Sequence, residues 1–89
     1  MIKFNLLGGL RFTIGENILL VNKSQMTINE IFELLQTKSK DKNIIDPTNV
    51  LITINGTDSS VLGGKNAVIK DGDQVTLVTI VHGGWEISL

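Results

Sequence analysis

The stretch Val75-Thr76-Leu77-Val78-Thr79-Ile80-Val81 decides the fold. All but one of its residues are β-branched, which favours an extended, pleated backbone over a helix. It carries no clean polar/apolar alternation. Both Thr76-Val78-Ile80 and Leu77-Thr79-Val81 can face apolar neighbours. A strand of that kind sits in the middle of a sheet and is covered at least partly on both sides. It is also the last regular segment before a shift in composition after Val81, where His82-Gly83-Gly84-Trp85-Glu86-Ile87-Ser88-Leu89 follows.

Working outward, Asp71-Gly72-Asp73 is a turn that feeds this strand, and Ala67-Val68-Ile69 before it is a short strand. Thr57 to Lys65 reads as a loop, in which Gly63-Gly64 meets a backbone need such as positive φ. Val50-Leu51-Ile52-Thr53-Ile54 is a strand stopped by the turn pair Asn55-Gly56. Earlier, Thr27-Ile28-Asn29-Glu30 has capping-box spacing. Ile28, Ile31, Phe32 and Leu35 then form one apolar helical stripe. That helix fades through Lys38–Lys42, and Asp46-Pro47 is a break. At the start, Ile2, Phe4 and Leu6 alternate with Lys3 and Asn5 as in a strand. Leu10–Ile14 alternates as well, and Ile18–Val21 is a further strand. The first hairpin turn falls either at Gly8-Gly9 or at Gly15–Asn17, with Gly8-Gly9 then a bulge.

The predicted order is strand, strand, helix, strand, short strand, strand. This is an α+β roll with a mixed sheet of four to five strands packed on one main helix. If the helix joins the second strand to the third, the last strand can lie centrally beside the first, which is the β-grasp arrangement.

Composition narrows the function. The 89 residues make one small domain with formal net charge −1, so bulk electrostatics point to neither nucleic acid nor a membrane. The absence of cysteine removes disulfides, thiolate metal sites and a cysteine nucleophile. No apolar run has signal-peptide or transmembrane character, and a cytoplasmic monomer is the expectation. His82 is the only histidine and has no metal-ligand spacing around it. Asp71 and Asp73 read as turn residues rather than an acid–base pair. Lys3, Lys23, Lys38, Lys40, Lys42, Lys65 and Lys70 are solvated surface. No residue is expected to be catalytic.

Three segments together resemble the ubiquitin-related modifiers and the small archaeal modifier proteins, within the wider ubiquitin-like, sulfur-carrier superfamily. They are Phe4-Asn5-Leu6-Leu7-Gly8-Gly9-Leu10, Ile52-Thr53-Ile54-Asn55-Gly56, and Lys70-Asp71-Gly72-Asp73-Gln74-Val75 leading to His82-Gly83-Gly84. The resemblance covers residues 1–84. It implies a protein that is acted upon. A partner resembling the ubiquitin-activating enzyme uses ATP and Mg to adenylate the Gly84 carboxylate. A thiocarboxylate for tRNA thiolation or cofactor synthesis then forms, or an isopeptide with target lysines. Gly83 supplies clearance, and Val81 and His82 carry the tail into the partner. An apolar patch on the sheet face opposite the helix is expected to dock that enzyme.

The chain departs from the mature pattern, because Trp85–Leu89 follows Gly84. Residues 1–84 are therefore expected to be a ubiquitin-like domain with a diglycine tail, and residues 85–89 an extension removed at Gly84–Trp85. The resemblance implies a processing protease, a metalloprotease being one class. Two rival readings stand beside this one. Gly83-Gly84 can be a turn that folds Trp85–Leu89 back as an extra strand or onto an apolar patch. The whole chain can also be a non-conjugated β-grasp interaction module with an intact C-terminus.

Overall fold

In the computed structural model, residues 1–39, 45–46 and 48–79 are described. Strand β1 (Ile2–Leu7) leads into helix α1 (Gly9–Ile14), then β2 (Ile18–Val21), β3 (Gln25–Thr27) and helix α2 (Ile28–Lys38). Then come β4 (Val50–Ile54), β5 (Thr57–Asp58), two 3₁₀ turns (Ser59–Leu62 and Gly64–Asn66), β6 (Val68–Lys70) and β7 (Val75–Thr79).

The main sheet has the order β2-β1-β7-β4-β5, and β3 and β6 form a separate pair. β7 is central, as its double-sided apolar character predicts. It runs parallel to β1 over Val75–Val78 and antiparallel to β4 over its whole described length. This mixed five-stranded sheet on a helix is the expected β-grasp roll.

Alternation decides what faces inward. Ile2, Phe4 and Leu6 of β1, Val50, Ile52 and Ile54 of β4, and Val75 and Leu77 of β7 are all buried. They meet the α2 stripe Ile28, Ile31, Phe32 and Leu35, with Leu10, Met26 and Ile69 closing the core. The capping box is formed: Thr27 Oγ1 accepts from Glu30 N–H at 3.2 Å, and Thr27 N–H donates to Glu30 Oε1 at 2.9 Å. A cap of this kind contributes about 1 kcal/mol. The β4–β5 hairpin turns on Asn55 (φ 52°) and Gly56 (φ 84°), the paired positive angles of a type I′ turn.

Three expectations change. Leu10–Ile14 is helical rather than extended, because Leu10 alone is buried while Arg11 and Phe12 are exposed, so the alternation has no sheet to face. The first connection is therefore the whole stretch between β1 and β2. Gly8 (φ 63°, ψ −145°) turns the chain off β1 and Gly15 (φ 89°) caps α1, so Gly8-Gly9 is not a bulge. The expected loop at Thr57–Lys65 holds β5 and both 3₁₀ turns, with Gly63 and Gly64 at positive φ as anticipated. The short strand near Ile69 pairs with β3, which the sequence did not announce, and not with the main sheet.

Candidate functional site

The residues singled out as the site, Val81, His82, Gly83, Gly84 and Trp85, lie outside the described residues. What the structure shows is the platform from which they depart: the Thr79 end of β7.

β7 presents Val75, Leu77 and Thr79 to the core, leaving Thr76 and Val78 half-buried on the open face. This resolves which of the two sets faces out as far as Val78. Ile80 and Val81 fall outside the described residues. Strand register then builds a surface no linear reading contains. Leu7 lies opposite Val78 and Val78 opposite Leu51, so an apolar row crosses β1, β7 and β4. Leu7 is exposed, and Val78 and Leu51 are half-buried. The next row toward the Val75 end is Asn5–Thr76–Thr53, which is polar. The apolar row adjoins the Thr79 end, while Ile18 and Leu20 of β2 form a second exposed apolar pair on the same face. The signal was present in the outward positions of three strands, but it needs register to be read.

Gly8 lies beside β7 at this end, where an added Cβ would meet Val78 Cγ2 at 3.4 Å and Thr79 Oγ1 at 3.5 Å, ordinary contact distances, so its constraint is the backbone and not space. Its φ and ψ fall near a region open almost only to glycine. The Thr79 hydroxyl is buried and has no hydrogen-bond partner among the described residues. α1, which follows Gly8, carries the exposed Phe12 with the Arg11 guanidinium 5.2 Å from its ring centroid. That distance is within the range of a cation–π contact.

Three carboxyls are held below their ordinary values. Glu30 is lowered by the Thr27 backbone N–H, Asp46 by the Thr48 hydroxyl, and Asp73 by the Lys70 backbone N–H and then the Asn55 amide. Each does a turn's or cap's work. Among the described residues no three His, Cys, Asp or Glu side chains converge, and no helix is long and apolar enough to cross a membrane.

The ThiS family matches residues 5–84. No curated protein matches the chain by sequence. Among solved structures, the small archaeal modifier protein 1 of Methanosarcina acetivorans superimposes with a TM-score of 0.69 at 22% identity, covering 92% of this chain and 94% of its own. Urm1 of Trypanosoma brucei follows with a TM-score of 0.67 at 23% identity, covering 92% and 93%. The chain matched in the BexX/CysO complex of Amycolatopsis orientalis gives 0.66 at 22% identity, covering 92% and 98%. At these identities the likeness is one of fold. The family match runs through the strand that leads to the tail, and with it this chain belongs to the ThiS family, with the ubiquitin-like β-grasp fold of these neighbours.

Proposed function

We propose that this chain is a carrier whose reactive group is the Gly84 carboxylate, freed by cleavage of the Gly84–Trp85 bond. The observation that supports this is the placement of β7. A strand paired on both sides is a rigid stem, and its Thr79 end opens beside the apolar row Leu7–Val78–Leu51. Gly84 stands five residues beyond Thr79, which at about 3.3–3.6 Å per residue reaches ~17 Å from the sheet. That length suits a tail threaded into a partner's active site while the row docks outside it. The family match ends on Gly84, in keeping with residues 1–84 as the working unit. The name of the Amycolatopsis orientalis complex describes CysO bound to BexX, and a partner seated on this fold is what the reading requires here too.

The chemistry is that of an acid made electrophilic. The Gly84 carboxylate attacks the α-phosphorus of ATP, held with Mg by an adenylating enzyme, and pyrophosphate leaves. The resulting acyl adenylate is attacked by hydrosulfide at the carbonyl carbon. AMP leaves and a thiocarboxylate remains for sulfur transfer, as in tRNA thiolation or cofactor synthesis. A second outcome follows from the same adenylate: an enzyme thiol and then a target lysine amine displace in turn, leaving an isopeptide. The Methanosarcina acetivorans neighbour, named a modifier, favours keeping that outcome. In both, this protein is the substrate and the partner is the catalyst, acting in the cytoplasm.

The test is the intact mass of the protein from its own cells. A chain ending at Gly84, with a fraction heavier by the exchange of one oxygen for sulfur, is expected. A chain that always retains Trp85–Leu89 overturns the reading in favour of an interaction module.

A further inference from the structure

β2 (Ile18–Val21) is an outer strand of the main sheet, with β1 on one side and no strand on the other among the described residues. Strand register tells which of its main-chain groups are free. The Leu6 N–H donates to Asn17 O at 2.8 Å, one step beyond the pairs that set Phe4 against Leu19 and Ile2 against Val21. In antiparallel pairing, bonded and non-bonded positions alternate. Asn17, Leu19 and Val21 therefore turn their N–H and C=O groups to β1, and Ile18 and Leu20 turn theirs to the open edge. Among the described residues no backbone bond from another element reaches Ile18 or Leu20. An edge of this kind is a template for an added strand.

The edge lacks the devices that keep such strands apart. Ile18-Leu19-Leu20-Val21 holds no charge and no proline. Its outward side chains are apolar and open to water, Ile18 at 43% and Leu20 at 58% exposure, with the core residue Leu19 between them. The strand is also complementary to itself. When two copies meet antiparallel with Leu19 on the two-fold axis, Ile18 of each stands opposite Leu20 of the other. Both are edge-facing positions, so each such pair exchanges both of its N–H to C=O bonds, and every free group of the edge is used. The same register covers all the exposed apolar side chains of β2 with one another. The adjacent registers set Ile18 opposite Asn22 or Leu20 opposite Glu16, beyond the ends of the strand. The flanks agree in charge. Glu16 precedes the strand and Lys23 follows it, so an antiparallel meeting brings unlike charges to each end and a parallel one sets like beside like.

We propose that two copies of this chain pair through β2 about a two-fold axis normal to the sheet, joining their five-stranded sheets into one. A four-residue edge buries less than the ~1,200–2,000 Å² of a stable complex, so the dimer is weak and fills as concentration rises. The monomer expected from the sequence is its dilute form. Edge pairing covers neither face of the sheet, and β1 separates β2 from β7. The row Leu7–Val78–Leu51 stays open, and the two Thr79 ends point in opposite directions. The pairing does not depend on the carrier reading above.

The chain has no cysteine, so Ile18→Cys and Leu20→Cys chains report the register. Facing bonded positions lie about 5.5 Å apart at Cα, within disulfide range. The two chains are mixed in equal amounts, one of them labelled with ¹⁵N, and oxidised mildly, and intact mass separates the three products. The disulfide between the two different chains should form roughly tenfold faster than either same-site disulfide, because only it joins facing positions. A second pair of variants tests the surface without cysteine. Ile18→Glu with Leu20→Glu, and Ile18→Lys with Leu20→Lys, each set like charges opposite one another. Both sites are exposed, so the β1 amide spectrum should be kept. In sedimentation the wild type should self-associate by about 1 mM, each charged variant should stay monomeric, and the two mixed should form a heterodimer. Cross-links in random proportion or mainly same-site, a wild type that stays monomeric, or charged variants that do not pair when mixed overturn the proposal.

Discussion

The two ends of β7 are built differently. At the Val75 end the approach to the strand is pinned by side chains. Asn55 donates to Asp73 Oδ1 at 3.1 Å and accepts from Gln74 N–H at 2.9 Å, while Lys70 N–H donates to Asp73 Oδ2 at 2.8 Å. The backbone adds Asn55 N–H to Gln74 O at 2.7 Å. At the Thr79 end a buried hydroxyl has no partner among the described residues, and the apolar row Leu7–Val78–Leu51 lies on the outer face. Buried polar groups normally find partners. The first end fixes where the strand begins, and the second lacks such side-chain pins among the described residues.

The largest expected effect tests the free end. Gly84→Val should abolish thiocarboxylate and conjugate formation in a reconstituted activation assay. It should leave the thermal midpoint unchanged, because the core is built from residues up to Leu77 and Gly84 is not among them. If activation survives, the tail is not the reactive group. A companion change, Val78→Asp, keeps the fold and should weaken binding to the activating enzyme by placing a charge in the apolar row. Conjugates are best mapped with His82→Arg, since no Lys or Arg precedes Gly83 closely enough for trypsin to leave a diglycine remnant.

The pinned end should respond in stability and not in activity. Asn55→Ala removes both side-chain bonds and puts alanine at φ 52°, so a loss of about 2 kcal/mol in chemical denaturation is expected. The free end should respond with the opposite sign. Thr79→Val removes the unpartnered hydroxyl and keeps the shape, for a gain of about 1 kcal/mol. A loss there instead would mean that the hydroxyl has a partner, such as the tail itself. Gly8→Ala, forced into a backbone region open almost only to glycine, should cost about 1–3 kcal/mol.

This contrast also marks what could be read from residues alone. β7 was legible as central because its apolar character on both faces admits no edge position. α2 was legible because its cap and stripe are local. α1 was misread because two-residue alternation over five positions also fits a short helix with Leu10 buried, and only the sheet's absence there decides it. β3 stayed silent because a three-residue strand carries no periodicity and exists only by its pairing with β6. Gly83-Gly84 is what the sequence offers for the tail, and it lies outside the described residues. The row Leu7–Val78–Leu51 was not legible, since its members are brought together by register across most of the chain.

The smallest expected effect separates the ends by acid. Asp73 at the pinned end is held below its ordinary value of 3.8 by the Lys70 N–H and the Asn55 amide. Asp46, near the start of β4 at the other end, is held below 3.8 by Thr48. A carboxyl whose folded value is lowered binds its proton later than the unfolded chain does. Its stabilisation is full above 3.8 and is lost as the pH falls from there through the folded value. Because both groups are exposed, solvent keeps each contribution small. Denaturation midpoints followed downward through that window should fall in the wild type. The fall should be shallower in Asp73→Asn, which cannot take up the proton, and equally shallower in Thr48→Val, which returns Asp46 toward its ordinary value. If only Asp73→Asn flattens the curve, the acid sensitivity of the fold resides in the pinned end, and the β4 start, like the Thr79 end it faces, carries no electrostatic anchor of its own.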